Sequence, residues 1–195
     1  MKPERLAAFT DGVIAIIITI MVLELPTPHG TDLTALKPVL PLLGAYLLAF
    51  INVGIYWSNH HHMLQAAKKV DGRVLWANNA MLFVLSLVPF LIRWMGEEGI
   101  HPLPVALYGV VLVLAAIGYV LLERALIAVE GEGSKLKAAV GSRRKEWVSV
   151  SGYLLGAALA FISPWISVAL YVAVTSLWFV PDSRIERQAK GRGEL

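Results

Sequence analysis

The sequence predicts an all-α, polytopic six-helix transmembrane bundle with its N- and C-termini cytoplasmic. Three observations carry that expectation. Of 195 residues, 57% are hydrophobic and only 16% charged, whereas soluble domains run about 45–50% apolar and about 25% charged. Mean hydropathy is +0.65, and the apolar residues stand in blocks near the roughly 20 residues that a bilayer-spanning helix needs. The basic residues sit in the short connections between those blocks, the pattern of a membrane protein and not of a phosphate-tracking nucleic-acid binder. No cysteine is present, which removes disulfides, thiolate metal sites and cysteine nucleophiles from consideration.

The spans fall at about 5–25, 38–64, 74–95, 103–123, 146–162 and 165–180. They form a single six-span domain over 1–195, with no soluble domain, low-complexity segment or division into two similar halves. The first span follows Lys2 and Arg5 as a signal peptide would, but it ends Leu23-Glu24-Leu25-Pro26 without a small-residue cleavage site. Asp11 lies inside it, so it reads as a retained helix. Pro26, Pro28 and Gly30 end this span, and Pro38 and Pro41 open the second, where proline is tolerated. Spans five and six are short and joined by Ser163-Pro164 as a tight hairpin. Gly152, Gly156 and Ala160 make a small-residue stripe that signals close helix packing.

Fifteen of the seventeen Lys and Arg residues fall on one side of this arrangement, and only Lys37 and Arg93 on the other. The positive-inside rule puts the basic side, with both termini, in the cytoplasm. The chain is expected to be integral to a membrane, in contact with lipid and with no nucleic-acid partner.

Polar residues inside the spans gather in the first three: Asp11, Asn52, His60, Asn78 and Asn79, while spans four to six look nearly plain. A charge within a span costs on the order of 2.5–3.5 kcal/mol on insertion scales, so Asp11 needs a partner or water. Arg5, about 240° around the same helix, is badly placed to serve. The second span brings Trp57, Asn59, His60, His61 and His62 to the same depth, and the third starts there with Asn78 and Asn79. Asp11 then either ties helices together or is a solvated anchor. Adjacent histidines on a helix point about 100° apart and cannot converge on one ion, and no ligand spacing completes a site, so no metal or other cofactor is expected.

Along the first span Phe9, Gly12, Ile16, Thr19, Ile20 and Leu23 recur at three- and four-residue steps and share one face. That face suits packing inside the bundle, with Thr19 bonded back to the Ala15 carbonyl. An apolar constriction that gates by dewetting is physically possible as well, but the pattern alone does not demand it.

The stretch from Arg5 through Phe9, Thr10, Asp11 and Gly12 to Ile16, continuing to Leu23-Glu24-Leu25, resembles the first-helix signature of the endosomal and lysosomal potassium channel family known as transmembrane protein 175. Family members usually carry Phe-Ser-Asp; Phe9-Thr10-Asp11 keeps the hydroxyl. Trp57 with the histidines after it, and Asn78-Asn79 with Pro89-Phe90, are weaker echoes. The resemblance implies a homotetramer whose first helices line a pore for K+ and other monovalent cations. The constriction would fall on Ile16, Thr19, Ile20 and Leu23, with Thr19 as a hydroxyl ring for selectivity. Arg5, Phe9, Thr10 and Asp11 would tie the first helix to the second and third near His60 and Asn79. A proton-coupled secondary transporter is the alternative, although such proteins usually show internal repeats and broken midplane helices. No Ser-His-Asp, HExxH or Gly-x-Ser-x-Gly pattern points to an enzyme.

Overall fold

The computed structural model describes residues 2–131, 134, 136 and 144–178, and among these it is all-helical. The helices are α1 (Pro3–Leu23), a 3-10 turn at Leu33–Leu36, α2 (Leu40–Ala66), α3 (Gly72–Leu85), α4 (Val88–Glu98), α5 (Pro102–Glu130), α6 (Arg144–Leu159) and α7 (Pro164–Ser176). Four stretches are long and apolar enough to cross a membrane: α1, α2, the α3–α4 pair taken together over Gly72–Glu98, and α5. The shorter α6 and α7 overlap the fifth and sixth expected spans.

Proline and glycine punctuate the chain as their chemistry requires. Proline stands in the first turn of α1, α2, α4, α5 and α7, where a missing N–H is no loss. The Asp71 carboxylate caps α3 by accepting from the Val74 N–H at 3.0 Å. Gly99 (φ 92°) and Gly131 (φ 72°) end α4 and α5 in backbone conformations that a side chain would resist.

The boundaries differ from the sequence expectation in three places. The third span is two helices, interrupted at Ser86–Leu87. Pro89 cannot donate to the Leu85 carbonyl, and its ring crowds that oxygen, so the chain breaks before it. The fourth span continues seven residues past 123, to Glu130, because Leu122 and Leu126 on its inner face stay fully buried beyond the charged Glu123-Arg124. The fifth stops at Leu159, and residues 160–163 form the turn into α7. Residues 179 and 180 of the sixth expected span, and most of the 124–145 basic connection beyond Gly131, lie outside the described residues.

α5 is the central element, packing on α2, α3, α4, α6 and α7, while α1 lies to one side against α2, α3 and α4. The small-residue stripe of α6 does what its spacing predicts. Gly156, with Gly109 of α5, leaves a slot that the Tyr171 ring fills, and Gly152 receives Val174. Tyr171 is fully buried and its hydroxyl donates to the Val105 carbonyl at 3.2 Å. Lipid supplies little hydrophobic force between helices, so close packing of this kind and interhelical hydrogen bonds hold such a bundle together.

Candidate functional site

α1 has two apolar faces with opposite fates. Leu6, Thr10, Ile14, Ile17 and Met21 face the bundle and are buried. Phe9, Gly12, Ile16, Thr19, Ile20 and Leu23 face out. The contrast is sharp between neighbours: Ile14 and Ile17 are each 3% exposed, Ile16 is 58% and Leu23 79%. Among the described residues, therefore, nothing packs over the stripe. α1 is also the least covered of the long spans, with 28% of its apolar window buried against 56% for α5. The remaining surface has to meet lipid or other copies.

Thr19 sits in the middle of this stripe. Its hydroxyl lies 3.0 Å from the carbonyl oxygens of both Ala15 and Ile16 and donates to its own helix. With the proton turned inward, the hydroxyl presents oxygen lone pairs to whatever the stripe faces. Ile16, Ile20 and Leu23 surround it with aliphatic side chains.

Behind the stripe a buried polar chain fastens α1 to its neighbours. The His60 Nε2–H donates to Asn78 Oδ1 at 2.8 Å, and Asn78 Nδ2 donates to Thr10 Oγ1 at 3.0 Å. Thr10, His60 and Asn78 are almost wholly excluded from the surface. Three helices are thus joined through one amide group on α3. Asp11 is held separately, at the surface, where its Oδ1 accepts from Trp57 Nε1 at 2.9 Å. The Trp57 ring in turn stacks on His61, centroids 5.9 Å apart.

Several expectations are corrected by this arrangement. Asp11 does tie α1 to α2, but its partner is Trp57, not His60 or Asn79. The residue that reaches His60 is Thr10, by way of Asn78. Asn79, one step around α3, is exposed; a 100° rotation per residue lets only one of the adjacent asparagines face inward. Arg5 and Phe9 are exposed. Among the three histidines only His60 joins the buried chain. His61 accepts from Gln65 at the surface and His62 is exposed.

A second polar cluster was not foreseen. Asn52 donates to the Leu48 carbonyl (3.0 Å) and to the Tyr108 hydroxyl (3.4 Å). Its Oδ1 accepts from Tyr153 (3.3 Å) and Thr175 (3.1 Å). This node joins α2, α5, α6 and α7, so the later spans are not plain. The signal lies in Tyr108, Tyr153 and Thr175, which hydropathy averages count with the apolar background.

Comparison with known proteins bears on the stripe and its anchor together. The family described as "Endosomal/lysosomal potassium channel TMEM175" matches residues 5–89. A potassium channel of Chryseobacterium sp. (strain P1-3) is 50% identical over 190 residues, covering 97% of this chain and 99% of that one. The chain belongs to the TMEM175 family. A crystal structure titled as a lysosomal potassium-selective channel TMEM175 homolog from Chamaesiphon minutus superposes with a TM-score of 0.74 at 26% identity. It covers 90% of this chain and 95% of that chain. A mouse member named endosomal/lysosomal proton channel TMEM175 is 27% identical over 60% of this chain, which is 24% of its own length. This TMEM175 member is accordingly an integral membrane protein of a prokaryotic membrane. Its family and near relatives are named as channels, which are not enzymes.

Proposed function

We propose that this TMEM175 member is a potassium-preferring cation channel, a homotetramer in which four copies of α1 surround the conduction path. The exposed stripe is the observation that carries the proposal: an apolar helix face, uncovered among the described residues, in a protein whose 50% identical relative is named a potassium channel. Four copies turn each stripe residue into a ring. Rings of Ile16, Ile20 and Leu23 narrower than a hydrated ion expel water and so close the path, and the Thr19 ring offers oxygens that can replace part of the hydration shell of K+. Pore diameter and that oxygen ring together discriminate among cations. The Thr10–Asn78–His60 chain and the Asp11–Trp57 bond set the rotation of α1, and so which face points to the axis. The basic end of the bundle faces the cytoplasm, the whole chain forms one channel domain, and the host is the prokaryotic plasma membrane.

The test is flux of K+, Na+ and H+ through the purified protein in liposomes, with the mass of the protein in detergent giving the oligomer. Ile16→Ala or Leu23→Ala is expected to raise flux and blur discrimination. Thr19→Val, which keeps the shape and removes the hydroxyl, is expected to lower the preference for K+ over Na+. Counter-ion exchange with saturating, stoichiometric transport would refute a channel and support a coupled transporter.

A further inference from the structure

A cavity of about 30 Å³ opens between α2, α5 and α6, and α1 supplies none of its lining. Its wall includes Tyr56 and Asn59 of α2, Tyr119 of α5, and Glu146 and Tyr153 of α6. Glu146 Oε2 is buried there with no hydrogen-bond partner among the described residues. A buried carboxylate oxygen without a partner is expensive, and native proteins answer it with a donor, a cation or a proton.

The donors around the cavity are largely committed elsewhere. The Tyr153 hydroxyl donates to Asn52 Oδ1 (3.3 Å) and the Tyr56 hydroxyl to the Leu112 carbonyl (3.4 Å). Trp178 Nε1 donates to Ser149 Oγ (3.0 Å). Tyr56 and Tyr153 therefore turn lone pairs to the cavity, while Tyr119, Ser149 and Asn59 bring hydroxyl and amide groups that can accept as well as donate. The rest of the lining is largely apolar, and Glu146 Oε2 is the one buried oxygen there without a partner among the described residues. Water can donate to that oxygen but brings no charge to offset a carboxylate. A hard monovalent cation matches it well, and the volume admits an ion with one water, each needing about 10–15 Å³.

We propose that this cavity binds one monovalent cation, potassium or sodium, with water completing its shell and the Glu146 carboxylate as its charged ligand. The site is separate from the conduction path and stands whether or not α1 lines a pore. It joins helices that the Asn52 node already links, so occupancy steadies α6 against α2 and α5.

Crystals of the whole protein with thallium(I) replacing potassium test it directly, because thallium scatters anomalously. The proposal expects a thallium peak in the cavity beside Glu146, absent in Glu146→Gln while any peak along the α1 stripe persists. Thermal unfolding in detergent gives a second readout, with KCl or NaCl compared against N-methylglucamine chloride. Wild type is expected to gain stability with the small cations, at an apparent affinity about tenfold or more weaker in Glu146→Gln. Tyr119→Phe, which removes only a neutral oxygen, serves as the milder variant if the first does not fold, with an intermediate weakening expected. Water alone in the wild-type cavity, or a salt response indifferent to Glu146 and Tyr119, overturns the proposal. A cavity peak without flux through the protein would refute the channel and leave the site standing.

Discussion

Asn78→Ala isolates the link on which the rotation of α1 depends. The substitution removes the oxygen that accepts from His60 at 2.8 Å and the amide that donates to Thr10 at 3.0 Å. Both partners stay behind in a site with essentially no access to water. Thr10 can turn its hydroxyl to the Leu6 carbonyl one helical turn back, as buried threonines do. His60 has no such retreat, so its unpaired N–H dominates the cost, at about 1–3 kcal/mol for a buried group in a soluble protein. Interhelical hydrogen bonds in membranes average nearer 0.6 kcal/mol, because the separated helices find other partners. The expected loss is therefore about 1–2 kcal/mol, between those two limits. A double-mutant cycle sharpens this, since Thr10→Val and Asn78→Ala remove the same bond and their losses should not add. Reversible unfolding in mixed detergent micelles, measured for both single variants and the double, reads the coupling. Strict additivity, or no loss in Asn78→Ala, would refute the claim that these side chains form one chain.

Other expectations follow from particular contacts. Gly156→Ala sets a methyl group against the Tyr171 ring and should cost roughly 1–3 kcal/mol, measurable in the same unfolding assay. Ile14→Ala opens a buried cavity and should cost about 2–5 kcal/mol, whereas Ile16→Ala, at an exposed position, should leave protomer stability almost unchanged while altering liposome flux. Trp57→Phe removes the donor to a carboxylate that water also reaches, so a loss of about 1 kcal/mol or less is expected, against the larger effect at Asn78. With no native cysteine in the way, cysteines at Gly30 and Glu97 should react with an impermeant reagent from outside the cell. One at Lys69 should react only after permeabilisation, and the reverse pattern would overturn the orientation.

Much of this was legible in the sequence because the bilayer imposes a length and an apolar composition on each span. The blocks, the proline and glycine punctuation and the face shared by Ile16, Thr19, Ile20 and Leu23 are all local signals. The break before Pro89 was available in principle, since that proline lies four residues after a carbonyl it cannot satisfy. Partner identity was not local. Asp11 meets Trp57 across 46 residues and Thr10 meets Asn78 across 68, and which of two adjacent asparagines faces inward depends on helix rotation. The Asn52 node is harder still, because Tyr153 and Thr175 lie 101 and 123 residues away and each looks unremarkable within its own apolar helix. Glu146 likewise opens the fifth expected span, and nothing local in the sequence shows that its carboxylate turns into a cavity between α2, α5 and α6.

The most direct test of the account is whether water-soluble reagents find the α1 stripe inside a conducting path. Single cysteines at Ile16, Ile20 and Leu23, in a chain with none of its own, can be modified by a charged thiol reagent while potassium current is recorded. A control cysteine belongs at Trp76, which is exposed on α3. The account predicts that modification at the stripe positions abolishes most of the potassium current and that modification at Trp76 leaves it intact. Stripe cysteines that mass spectrometry finds modified, with the current unchanged, would contradict a pore lined by α1.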